Sequence, residues 1–271
     1  MAMTRMFLRW TGGSGGDVIL KHIKQQNPQL YINCDFGDLT AEGRVSNNSV
    51  QHDVYPVIES LNRYAKVSSI DVQDLITDIT QLNRDHSHYI CKMHMFDHSL
   101  DPMRQLTTVE TIGFSTMFLP FVVQACFCKT LADPTSWLSD WLTETNELTA
   151  VTDYISKKVN TDLKKHHTIW LMTEDAVNIH RTHDLDSATL KTDHWFDSRG
   201  HIENFFNQQG YQLKLASVFD QWIDINKQYL PSDTYIKCVQ SQTYDYEHSD
   251  LNIFEKYSLY ALTHSKFKLL N

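Results

Sequence analysis

A chain of 271 residues, 41% of them hydrophobic, can bury a full core without disulfide or metal staples. Its net charge of −9 at pH 7 argues against a general nucleic-acid binder, which carries a basic footprint. No apolar run approaches the roughly 18 residues of a membrane span, and no secretory leader opens the chain, so no membrane partner and a cytoplasmic setting are expected. The five cysteines, Cys34, Cys91, Cys126, Cys128 and Cys238, are odd in number and lack framework spacing, so they read as reduced thiols.

Met6 to Trp10 is a short, bulky, mostly apolar run, as a buried first strand would be. Gly12, Gly13, Ser14, Gly15 and Gly16 follow, holding four of the nine glycines in the chain. Val18, Ile19, Leu20 and Ile23 then recur at helical spacing, which predicts a helix over 17–26, ended at Asn27-Pro28. Leu30 to Cys34 reads as a second strand and completes an early β-α-β unit. Residues 35–52 are polar, with Gly37, Gly43, Asn47 and Asn48, and read as a mobile loop.

Helices are expected over 53–64 and over 70–83, the second capped by Ser69 or Asp71. A strand begins at His88 and ends near Met93. The β-branched stretch 106–112 makes another strand, and Gly113 turns it into a long apolar helix over 114–131. Beyond Asp133-Pro134, helix is expected over 135–165, strands over 168–172 and 190–192, and helices over 198–209, 218–229 and 251–264. No repeat or linker interrupts this order, so residues 1–271 form a single domain. Strands alternating with helices give the α/β class with a mainly parallel sheet.

Two stretches carry chemistry. A tight turn between strand and helix needs positive φ, which glycine adopts without a Cβ clash. It leaves a row of backbone N–H groups at a helix N-terminus, where the dipole also favours an anion. The plainer alternative is a glycine turn with Asp17 or Ser14 capping the helix. Asp17 stands where a Walker A loop carries lysine, which disfavours an ordinary ATPase and favours another phosphate ester. Lys92-Met93-His94 lies at the carboxyl end of a strand, the edge off which open α/β sheets bind ligands. Alternate strand residues point the same way, so Lys92 and His94 can share a cleft. Lysine can supply charge to a leaving oxygen, and histidine can take a proton from a hydroxyl. Lys-x-His also occurs at Lys164-His166 and Lys165-His167, but only the first instance sits at a strand end.

Strand, glycine–serine loop, helix, then a strand ending in Lys-x-His resembles the sulfotransferases that use 3′-phosphoadenylyl sulfate. The resemblance implies a three-layer P-loop NTPase-like α/β fold and transfer of a sulfuryl group to a hydroxyl of a small-molecule or glycan acceptor. The product would be 3′-phosphoadenosine 5′-phosphate, and no metal is implied. By this resemblance Gly12, Gly13, Ser14, Gly15, Gly16 and Asp17 would hold the phosphosulfate, Lys92 would neutralise the leaving oxygen and His94 would deprotonate the acceptor. Leu190 to Asp197 and Ile202 to Gly210 echo the late strand–helix segment of the family. The loop departs from the usual Arg/Lys-Ser-Gly-Thr, keeping only Ser14-Gly15. No arginine follows the 106–112 strand where the 3′-phosphate site would need one; Arg104 precedes it, and Ser115 is the candidate there. The C-terminal glycine-rich segment of the family is absent.

Two other functions compete. A P-loop kinase for a nucleotide or small molecule would use Asp35 or Asp38 to position Mg²⁺ or a hydroxyl. A non-catalytic binding protein on the same fold would need neither. His180, His183, Asp184, Asp186 and His194 could be gathered into a metal site, but they read as solvated loop residues. Gly12-x-Ser14-x-Gly16 fits a hydrolase elbow by spacing yet sits on the first strand, not mid-sheet.

Overall fold

The structure is a computed structural model and describes residues 5–10, 15–41, 45–48, 54–62, 71–93, 110–115, 188–191, 199–227 and 230–264. Strand β1 (Met6–Arg9) leads through helix α1 (Gly16–Gln26) to the short β2 (Tyr31–Ile32). β3 (Asp35–Leu39) and β4 (Val45–Asn48) follow. Helices α2 (Pro56–Asn62) and α3 (Val72–Asp85) precede β5 (Tyr89–Met93). β6 (Glu110–Ser115) and β7 (Ala188–Lys191) are the last described strands. Helices α4 (Arg199–Gln208), α5 (Ser217–Asn226), α6 (Asp233–Gln240) and α7 (Ile253–His264) end the described chain. No helix among the described residues is long and apolar enough to cross a membrane.

Five strands form one parallel sheet in the order β2-β5-β1-β6-β7. The first strand therefore lies at the centre, with Leu8 level with Lys92 on one side and Ile112 on the other. Alternation sorts its side chains to two faces. Met6, Leu8 and Trp10 join Ile32, Ile90 and the α1 residues Val18, Ile19, Leu20 and Ile23 in a core that extends into α4 to α7. Phe7, Tyr89 and Cys91 face the other way, onto Tyr55, Ile58, Leu75, Ile79 and Leu82 of the α2–α3 side. The sheet is thus covered by helices on both faces, which is why its strands read as continuous apolar runs. The fold is α/β with a parallel sheet.

Side chains fasten these layers where backbone pairing stops. The Asp78 carboxylate of α3 accepts from Val57 N–H at 2.8 Å and Ile58 N–H at 3.1 Å, so one helix caps the start of another. Arg5 donates to the Asn83 Oδ1 and carbonyl and to the Ser87 carbonyl, closing the C-terminal end of α3. Residues 211–215 belong to no helix or strand and are held by side chains. Gln26 and Asn27 each donate to and accept from one residue of this stretch, Lys214 and Gln212 respectively. Asn207 does the same for Leu213. Glu255 and Asn252 form a reciprocal cap on α7, and the second Glu255 oxygen accepts from Ser232 N–H at the start of α6.

Several expectations change. Residues 35–52 hold an antiparallel hairpin, β3 with β4, where a mobile loop was expected. Phe36, Leu39 and Val45 pack on the core, and buried Lys21 reaches Gly37 O at 2.6 Å and Asp38 at 3.2 Å. Gly113 lies within β6, which runs on to Ser115, so neither a turn at Gly113 nor a helix from 114 forms. Pairing on both sides, to β1 and β7, holds this stretch extended. Helix α6, with Ser232 accepting from Tyr235 N–H as its cap, was not foreseen. Asp17 is not the N-cap of α1: that position is Gly15, with no side-chain capping bond, and the Ser14 alternative lies outside the described residues. The expected elements at 116–131, 135–165 and 168–172 also lie outside them.

Candidate functional site

The site lies off the carboxyl end of β1. β1 leads through α1 to β2, which lies on one side of it in the sheet, while β7, the next described strand after the neighbouring β6, lies on the other. Adjacent strands whose connections diverge open a crevice at that edge of an α/β sheet. The glycine loop leaves β1 at this edge. Gly15 takes φ 84°, the left-handed conformation that favours glycine, and its carbonyl accepts from Val18 N–H to start α1.

Gly16 is needed for a different reason. A Cβ there would lie 2.5 Å from two ring carbons of Trp10, so the first turn of α1 rests directly on the indole. Trp10 is itself fully buried and cannot easily give way. Strand end and helix start are thereby held in one arrangement.

Lys92 reaches this corner from β5. It follows Ile90 on the α1 face by alternation, as Trp10 follows Leu8. Its Nζ lies 2.9 Å from Asp17 Oδ1, in the first turn of α1, and 5.4 Å from the Trp10 ring centroid. Ion pair and cation–π contact together satisfy a lysine whose side chain is only 6% exposed. The backbone of Lys92 is pinned as well. Asn33, just past β2, accepts from Lys92 N–H at 2.8 Å and donates to Lys92 O at 3.1 Å, extending the ladder with a side-chain amide.

Cys34 is buried in the same cluster. Burial pushes its thiol up to about 12, against the opposing effect of the Lys92 charge, so it is a neutral thiol at physiological pH. Cys34, Cys91 and Cys238 are free thiols.

The structure therefore brings Lys92, Gly15, Gly16 and Asp17 together. Ser115 is the last residue of β6, two positions beyond the Gly113 that is level with Arg9, so its backbone reaches the same edge. Gly12, Gly13, Ser14 and His94 lie outside the described residues. Asp17 is where expectation shifts: its carboxylate pairs with Lys92, a role the sequence did not suggest. Asp38, considered for Mg²⁺, bonds to Lys21 instead. Among the described residues no group of three or more His, Cys, Asp and Glu is placed to hold a metal ion. His180, His183, Asp184, Asp186 and His194 lie outside them.

Sequence reasoning missed Trp10 and Asn33. Trp10 closes an apolar strand and gave no sign of serving the loop. Asn33 offered one signal, a carboxamide immediately after a predicted strand. No family model, no curated protein and no solved structure matches the chain.

Proposed function

We propose that the protein is a sulfotransferase-like enzyme on a three-layer P-loop NTPase-like fold, moving a sulfuryl group from 3′-phosphoadenylyl sulfate to a hydroxyl of a small-molecule or glycan acceptor. One observation carries this reading: the Lys92 ammonium of β5 meets the first turn of the helix that follows the glycine loop, 2.9 Å from Asp17. Two short motifs 75 positions apart, by 92 − 17, thus contribute to one corner. The central β1 and the helical layers on both faces support the fold assignment.

The donor set fits an anionic group. Gly15 and Gly16 start a helix whose N-terminal dipole favours negative charge, and Lys92 adds a full positive charge beside it. When bound, the donor would supply the sulfuryl group to be transferred. Lys92 would offset negative charge on the leaving oxygen, acting in a site largely shielded from water. His94, two residues on, would take the acceptor proton. Gly12, Gly13 and Ser14 would complete the cradle, and Ser115 would serve the 3′-phosphate.

The test is a calorimetric and thermal-shift titration with 3′-phosphoadenosine 5′-phosphate, with ATP–Mg²⁺ in parallel. At about 100 times Kd, binding adds roughly 2.7 kcal/mol. For a chain of this size that raises Tm by about 5–10 °C. A rise with the bisphosphate that is lost in Lys92→Ala supports sulfuryl transfer. A rise with ATP–Mg²⁺ alone would replace it with a kinase, and no response to either would leave a non-catalytic binding protein.

A further inference from the structure

Resting on the sulfuryl-transfer reading, we propose that the Asp17 carboxylate competes with the ligand for Lys92 and so sets the affinity of the site for its anionic nucleotide. Lys92 is enclosed on several sides. Its main chain is held at both N–H and carbonyl by Asn33. The Trp10 ring lies on one side of its ammonium, and Gly16 packs on that same ring, fixing the start of α1. The side chain of Asp17 is the more open partner, 25% exposed against 6% for Lys92. A ligand oxygen arriving from solvent therefore reaches the ammonium by displacing this carboxylate.

The exchange has a physical logic. A buried ammonium left without an anion is strongly destabilising, so one acceptor must replace another. The forces that hold Asp17 are the ones that would hold a phosphate or sulfate oxygen: the lysine charge and the positive end of α1. Ligand affinity is then reduced by the fraction of molecules in which the Asp17–Lys92 pair is closed. Asp17 is a positioning residue in this scheme. It holds Lys92 at the corner and yields it to the ligand.

The experiment is calorimetric titration of 3′-phosphoadenosine 5′-phosphate into wild type, Asp17→Asn, Asp17→Glu, Lys92→Ala and the Asp17→Asn/Lys92→Ala double variant, at one fixed salt concentration. A pair closed nine-tenths of the time predicts about tenfold tighter binding to Asp17→Asn. Asp17→Glu should stay near wild type, and the gain should vanish without Lys92. A gain in affinity is not what a merely structural role would produce. Should Asp17→Asn fail to fold, Asp17→Ser makes the same comparison. Wild type that binds while the neutral variant binds equally or more weakly overturns competition and leaves sulfuryl transfer standing. Binding by neither removes the sulfuryl-transfer reading, and competition with it; binding by the neutral variant alone supports competition.

Discussion

Gly16 and Trp10 show how one missing carbon can hold a site together. A methyl group added at Gly16 would meet ring carbons at 2.5 Å, and the ring cannot retreat because Trp10 is fully buried. Gly16→Ala should therefore cost about 2 kcal/mol by overpacking, a fall in Tm of roughly 4–8 °C. Trp10→Leu, introduced with it, should recover part of that loss by making room. Thermal melts of the single and double variants check this. An unchanged melt for Gly16→Ala would mean that the loop yields more easily than the contact implies. At this scale the site was partly legible. Lys92 was found because a cation after an apolar strand stands out, and Gly15 because positive φ selects glycine. Trp10, Asn33 and the pairing of Asp17 were not found. Their roles depend on which strands become neighbours, and β5 lies beside β1 only through contacts between residues some 80 positions apart, such as Phe7 with Cys91.

Among the elements, helices with strong periodicity were the readable ones. Asp71 caps α3 as its position suggested, accepting from Gln73 N–H at 2.7 Å. The β3–β4 hairpin was hidden because its polar residues and glycines outweigh its three anchoring apolar residues, Phe36, Leu39 and Val45. Helix α6 is short; Ser232 caps it locally, and the Ser232 N–H is in turn held by Glu255, 23 positions further on. Asp78 is a stronger case of capping at a distance. It serves α2 from across a helix pair, and burial raises its pKa despite the two N–H bonds it accepts. Asp78→Ala would leave two N–H groups at the start of α2 without their acceptor, one of them buried, and should cost about 2 kcal/mol. Asp78→Asn should cost less, since an amide oxygen can still accept and no charge is buried. Urea denaturation midpoints separate these outcomes, and equal midpoints for Ala and wild type would show that water satisfies α2 equally well.

At the scale of the whole molecule, two histidines among the described residues tie stability to pH. His22 of α1 is buried, and its Nδ1 lies 2.7 Å from the Val18 carbonyl. Burial pushes its pKa below the usual value, the Val18 bond opposes this, and the charges of Lys21 and Arg199 reinforce it. His86 stacks on Tyr31 with ring centroids 4.1 Å apart, and burial lowers its pKa too, with Lys24 adding to the effect and Asp85 opposing it. Both groups are therefore held neutral in the folded protein at pH values where the unfolded chain already binds a proton. Unfolding takes up protons in that window, so stability rises with pH there. The contribution is complete above the unfolded histidine pKa of about 6.5 and is lost as pH falls below it. The double variant His22→Asn/His86→Phe keeps a donor for Val18 and an aromatic ring for Tyr31 but cannot titrate at either position. Unfolding free energy measured in urea from pH 7.5 to 5.5 should fall less steeply for this variant than for wild type. Asp78 acts in the opposite sense, since its raised pKa makes it lose stability as pH rises, but both proteins carry it and it cancels in the difference. Parallel curves would mean that the helical layers open enough to hydrate both imidazoles before the chain unfolds, and the packing of α1 and β2 against the sheet would then be looser than these contacts describe.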